Sequence, residues 1–213
     1  MKTDELAAML AAGSGPIDRR LVGRRYAVAL LGGAAVSALL MLAVLGVRPD
    51  LGEAVYRPMF WVKLAFAASM AWGGWRLAER LSRPGARLGR AALGVIAPVL
   101  AIWLVAIAAL LMAAPAERPE LLLGATWRRC PWLIALLSVP VFLSVLWAMR
   151  GLAPTRLPLA GAAAGLLAGA TATVVYCLHC PEMGAPFVAT WYLLGMLLPC
   201  LLGLLLGRRV LRW

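Results

Sequence analysis

Six apolar runs, each long enough to cross a bilayer, constrain this chain more than anything else in its sequence. They fall at residues 26–47, 60–78, 91–113, 131–149, 157–178 and 187–206. Each is roughly 18–23 residues, which at about 1.5 Å per helical residue matches a hydrocarbon core of about 30 Å. Backbone groups in lipid must bond within their own segment, so each run reads as a helix. The expected fold is all-α: a polytopic membrane protein, a bundle of six transmembrane helices joined by short loops. The composition agrees, since 63% of residues are hydrophobic and only 14% are charged. A soluble domain is nearer half apolar. The first run is too long for a signal-peptide core and starts only after about twenty-five residues, so it should stay in place as a spanning helix.

The charges report orientation. Fifteen basic residues fall on one side: Lys2, Arg19, Arg20, Arg24 and Arg25 in the N-terminal tail, Arg76, Arg80, Arg83, Arg87 and Arg90 in the second loop, Arg150 and Arg156 in the fourth, and Arg208, Arg209 and Arg212 at the C-terminus. The other side holds five (Arg48, Arg57, Arg118, Arg128, Arg129), offset by Asp50, Glu53, Glu117, Glu120 and Glu182. The positive-inside rule places both termini in the cytoplasm. It also explains the net charge of +12 better than nucleic-acid binding does, because the charges are spread over loops rather than along one face. Trp61, Trp127 and Trp132 fall at the outer boundary, and Trp75, Trp147 and Trp213 at the inner one. Lys63 lies just inside the second run, and we read it as snorkelling outward past Trp61. Gly161, Gly165 and Gly169 form a small-residue stripe suited to close helix packing within the bundle, with a dimer interface second. Pro98, Pro140 and Pro199 should bend their helices locally.

No phosphate-binding loop, nucleophile elbow or HExxH pattern is present, and His179 is the one histidine. The cysteines carry more. Cys200 lies inside the sixth run and reads as packing. Cys130, Cys177 and Cys180 fall at the outer ends of runs. Cys130 precedes Pro131 at a helix N-terminus beside Arg128 and Arg129, which should lower its thiolate pKa. Cys180 lies beside His179 and before Pro181. These two are candidate reactive thiols, against the alternative of a static disulfide or two buried free thiols. Cys177-Leu178-His179-Cys180 is also a CxxC. With Cys130 it offers up to four soft ligands for zinc or cadmium (Cys130, Cys177, His179, Cys180). One CxxC is a weak signal, and no firm metal site or cofactor follows from it.

The tail, residues 1–25, is a second place of interest. Thr3 can cap a short helix, with Asp4 and Glu5 in its first turn and Leu6, Met9 and Leu10 on one face. About ten residues make a marginal helix in water. An exposed apolar stripe on it points to folding on a partner, or to a helix resting on the membrane surface, or to disorder.

Several segments together resemble one family. They are Met1-Lys2-Thr3-Asp4-Glu5-Leu6, Arg48-Pro49-Asp50-Leu51, Phe60-Trp61-Val62-Lys63-Leu64, His179-Cys180-Pro181-Glu182 followed by Ala185-Pro186-Phe187 and Trp191-Tyr192, and the ending Gly207-Arg208-Arg209-Val210-Leu211-Arg212-Trp213. In this order, over essentially the whole chain, they look like the NrsF-type family. The resemblance implies a six-span anti-sigma factor of the bacterial inner membrane, a regulator and not an enzyme. Such a protein holds an extracytoplasmic-function sigma factor inactive and releases it under oxidative or heavy-metal stress. It implies sensor thiols at Cys130 and Cys180, with Cys177 and His179 as auxiliaries, and a sigma-contacting segment at Asp4, Glu5, Leu6, Met9 and Leu10 ahead of a transmembrane domain at 26–213. Cys177 and Cys200 depart from that pattern, and Cys177 can compete for disulfide pairing. The alternative reading is a membrane thiol oxidoreductase that passes electrons from outward cysteines to quinone. Such relays use two outward cysteine pairs, and three outward cysteines are present.

Overall fold

The computed structural model describes residues 20–83, 85, 89–152 and 154–212, together with residues 3, 5 and 9. Among the described residues every regular element is helical and none is a strand. Six long helices dominate: α1 (Arg20–Val44), α3 (Pro58–Leu81), α4 (Leu93–Met112), α6 (Cys130–Arg150), α7 (Leu157–Tyr176) and α9 (Leu193–Val210). Three short helices fill the loops at one end: α2 (Leu51–Ala54), α5 (Arg118–Leu123) and α8 (Ala185–Phe187), the last running into α9 through a π-helical stretch at Val188–Tyr192. The apolar runs marked the long helices to within six residues at each end. The short ones were missed, because three to six residues leave too little periodicity to read.

Local chemistry sets the boundaries. Proline stands in the first turn of α3, α5, α6, α7 and α8, where its missing N–H costs no helical bond. Helix α1 ends at Gly46, whose φ of 74° no residue with a Cβ adopts easily. The amides of Leu45 and Gly46 both return to the Met41 carbonyl there, as at a left-handed helix cap.

Among the described residues five helical segments are long and apolar enough to cross a membrane: Gly23–Val44, Gly89–Met112, Cys130–Arg150, Leu157–Tyr176 and Ala185–Val210. Helix α3 is long enough at 24 residues, but Lys63 and its Trp and Gly content dilute it. Leu31, Leu39, Leu104, Leu111, Leu143 and Leu205 point outward, each more than 60% exposed. Apolar surface on that scale is what lipid covers.

Helix α7 is the centre of the bundle and packs against α9, α3 and α6. The glycine stripe is the reason it can. A Cβ on Gly161 would be driven into the Gly203 carbonyl, and one on Gly165 into the Pro199 carbonyl; one on Gly169 would lie 2.9 Å from the Met196 Cα. The stripe therefore serves internal packing, as the sequence suggested. Two buried clusters result. One gathers Tyr26, Phe142, Met149 and Leu211, and the other Met41, Phe66, Cys130, Tyr176, Cys180 and Tyr192.

These clusters define the two ends of the bundle. At the first end the Tyr26 hydroxyl and the Ser82 hydroxyl lie 2.6 Å apart. There the Arg150 Nε donates to the Val210 carbonyl at 2.9 Å, and Arg25 stacks over Trp147 at 5.0 Å. The start of α1 and the end of α9 thus share one end, and the three thiols of Cys130, Cys177 and Cys180 occupy the other.

Candidate functional site

The thiol end is built by the loop after α7. The amides of His179 and Cys180 both bond back to the Tyr176 carbonyl, and the Cys177 amide to Thr173. This tight return turns the chain inward instead of letting it run out into solvent. Cys130, Cys177 and Cys180 are all fully buried and all free. Helix α6 begins at Cys130, whose amide bonds the Thr126 carbonyl, and its side chain meets the returning loop. The Cys130, Tyr176 and Cys180 side chains pack in one buried cluster. The two thiols singled out in the sequence, fifty residues apart, are brought together.

Two cations brace the loop from behind. The Arg48 guanidinium donates to the Cys180 carbonyl at 3.1 Å and grips Asp50 through both forks, at 2.7 and 2.6 Å. Its backbone amide bonds the Leu178 carbonyl. The Lys63 ammonium donates to the same Cys180 carbonyl at 2.8 Å and to the Glu182 carbonyl at 3.3 Å. Lys63 has no solvent exposure. This corrects the expectation that it snorkels past Trp61; that indole instead donates to the Val55 carbonyl at 2.8 Å. A lysine turned outward satisfies its charge with water, but here the loop carbonyls were closer.

The Glu182 carboxylate accepts from the amides of Ala125 and Thr126 at 2.9 and 3.1 Å and from the Thr126 hydroxyl at 3.1 Å. It ties the α5–α6 loop to the thiol loop. Gly124, at φ 56°, sits where a Cβ would strike that carboxylate. Above the thiols the π-helical stretch presents Tyr192, fully buried, whose hydroxyl has no hydrogen-bond partner. Cys177, Cys180 and Cys130 are its electrostatic neighbours. A π-stretch rotates the helix beyond it relative to the helix before, and such stretches recur at functional sites.

Acidity differs from the expectation. Arg128 and Arg129 were to activate Cys130, but Arg128 lies over Trp127 at 5.0 Å and Cys130 is buried. Cys180 is the thiol whose pKa is lowered. The neighbouring Cys130 side chain is the largest cause, burial opposes it, and the Glu182 amide and the Lys63 charge add to it. His179 turns its Nδ1 to the Gly46 carbonyl at 2.9 Å. Among the described residues no group of three or more His, Cys, Asp or Glu is gathered to hold a metal ion, so the four candidate soft ligands are not assembled as one set. In the tail, Thr3, Glu5 and Met9 are helical and exposed; Asp4, Leu6 and Leu10 lie outside the described residues.

Reading the sequence missed Arg48, Tyr176 and Tyr192. A signal was available for Lys63, since a charge within an apolar run is a functional candidate by default. None existed for the tyrosines beyond their place next to the cysteine motif and to Trp191.

The Arg48–Asp50 pair makes a pH prediction. Arg48 holds the Asp50 carboxyl down at about 2, below its usual value of about 3.9. A depressed carboxylate contributes stability in full above the unfolded pKa and loses it as pH falls through the folded one. The melting-temperature gap between wild type and Asp50→Asn should therefore be constant at neutral pH and close as pH falls from about 4 to about 2. A gap that persists at the acid end would show that the asparagine acts otherwise than through this pair.

Residues 10–213 match the family described as negative regulator of sigma F, NrsF. A probable anti-sigma-F factor NrsF of Azospira oryzae is 57% identical over 100% of both chains. The anti-sigma-F factor NrsF of Caulobacter vibrioides is 42% identical, again over 100% of both. No solved structure matches the chain.

Proposed function

Because the chain belongs to the NrsF family of negative regulators of sigma F, and is thus a regulatory protein and not an enzyme, we propose that it sequesters an extracytoplasmic-function sigma factor at the bacterial inner membrane. In this reading all six long helices span the bilayer, α3 being held there by its packing on α7. Both termini are cytoplasmic, and the sigma factor docks on the tail through Asp4, Glu5, Leu6, Met9 and Leu10. Cys130 and Cys180 face the periplasmic side as a stress-sensing pair, where disulfides form and persist.

The observation that carries this reading is the division of the bundle into two ends. The paired thiols lie at one, and the start of α1, to which the tail is joined, lies at the other with the end of α9. A sensor and an effector on opposite faces of a membrane need that separation. The basic asymmetry of fifteen to five supports assigning the thiol end to the outside.

Co-purification of the cognate sigma factor with the membrane-inserted chain tests the tail. Burying one leucine contributes about 1.5–3 kcal/mol. A charged residue in its place should weaken the complex at least tenfold, so Leu6→Arg or Leu10→Arg should free the sigma factor with the bundle still inserted. Undiminished co-purification with the double variant would rule the tail out as the main contact.

A further inference from the structure

The end of the bundle away from the thiols holds a cation for which the described residues supply no anion. Arg25 lies in the second turn of α1, and Trp147 in the last turn of α6. The Arg25 guanidinium stacks over the Trp147 ring, 5.0 Å from its centroid. Its terminal nitrogens also cover Gly151, the cap of α6, so closely that a Cβ there would collide with them. The side chain is thus held flat against the end of α6. Its Nε is buried and has no hydrogen-bond partner among the described residues. No carboxylate among them closes on it either. Glu79, on α3, is taken by Arg83 at 2.7 Å. Arg150, the residue before Gly151, donates its Nε–H to the Val210 carbonyl and likewise meets no carboxylate among the described residues. A buried donor without an acceptor is rare in folded proteins, and a cation adds the need for an anion. The planar guanidinium fork matches a phosphate through two parallel N–H bonds.

The surface leading away from Arg25 favours one source of phosphate. Val28, one turn along α1, is exposed, and so are Leu143 and Val139, one and two turns back along α6 from Trp147. Residues at these spacings share a helix face. The two helices pack against each other, and each is long and apolar enough to cross a membrane. An exposed apolar track therefore ends at a cation and at a tryptophan, the residue that membrane interfaces select. A phospholipid has that layout, with acyl chains on the track and phosphate at its end. A free anion or an acidic peptide makes no use of the track.

We infer that Arg25 and Trp147 form a binding site for the phosphate of an anionic phospholipid, whose acyl chains lie along Val28, Leu143 and Val139. Arg24 and Arg150 flank the site in the chain and repel a headgroup ammonium, so a net-negative lipid is preferred to a zwitterionic one. The site goes beyond the proposed anti-sigma role, which does not require it. It ties the first turns of α1, from which the tail extends, to the headgroup plane.

Native mass spectrometry of the full chain in detergent, with defined lipid added, tests this. Wild type should retain phosphatidylglycerol about tenfold better than phosphatidylcholine, and excess inorganic phosphate should not displace it. Arg25→Gln should lower phosphatidylglycerol retention about tenfold, as expected for a charge-assisted hydrogen bond. Arg24→Gln, adjacent in the chain but outside the stack, should change it little. Equal losses in the two variants would mean that the basic end attracts anionic lipid without a site, and would overturn the inference. Equal retention of the two lipids would overturn it too, as would displacement by phosphate alone, which would give Arg25 a free anion. An Arg25→Gln protein that keeps its lipid but loses a co-purifying sigma factor would assign the anion to the protein partner, with the same result. If Arg25→Gln does not extract, Arg25→Lys decides. It keeps the charge and loses the planar fork, so retention should still fall, and wild-type retention would refute the site.

Discussion

Gly165→Leu should abolish the folded bundle. At this position α7 and α9 are in backbone contact, and a side chain would be driven into the Pro199 carbonyl, with the Cys200 Cα 2.7 Å from the added Cβ. Overpacking a core with movable side chains costs about 1–3 kcal/mol. Here the obstructing atoms are main chain on a helix, which cannot rotate aside, so α9 must separate from α7 along several turns. Folded domains are stable by only about 5–15 kcal/mol, and this is the most extensive helix contact among the described residues. The measurement is the monodisperse fraction after detergent extraction, with its melting temperature. Gly165→Ala, whose Cβ meets the same carbonyl, should also lose most of the folded fraction, and Gly32→Leu, at a glycine with open space around it, almost none. A Gly165→Leu protein that extracts and melts like wild type would mean that the two helices are not packed in this way.

The second large effect is on signalling. Cys130→Ser together with Cys180→Ser should eliminate the response to oxidant or cadmium while leaving the protein inserted. Two serines keep the capacity for a mutual hydrogen bond, so the buried polar cost stays small. They can form neither a thiolate nor a disulfide. In wild type the two thiols already lie in one buried cluster, and a bond or a shared soft metal would fix the start of α6 to the loop after α7. Such a tie moves the bundle only by favouring one packing over another in free energy. The π-stretch and the Glu182 contact to the α5–α6 loop lie beside the thiols and are the elements such a tie would strain. Cys177→Ser should matter less and Cys200→Ser least. The assay is transcription of the sigma-dependent genes with and without stress, and either constant high or constant low expression fits. Induction that survives intact in the double variant would refute the thiol sensor and leave the anti-sigma role standing.

Much of this was legible in the sequence, and the physical reason is depth. In a bilayer each residue has a position along the membrane normal that is set by hydropathy and counting. The lengths of the long helices and the common end shared by Cys130, Cys177 and Cys180 depend on that one coordinate, and the four-residue spacing of Gly161, Gly165 and Gly169 marks one face of a helix for close packing.

What the sequence left open is rotation about each helix axis and the path of the returning loops. Lys63 is at the same depth whether it reaches for water or for the Cys180 carbonyl. Only the packing of α3 on α7 turns it inward. Likewise Arg128 lies two residues from Cys130 in the chain but stacks on Trp127, while Cys180, distant in sequence, shares its buried cluster. Hydropathy is a one-dimensional signal, with depth as its variable. The azimuth of a side chain is set by which neighbours exclude water from it, and that was decided by the tertiary structure alone.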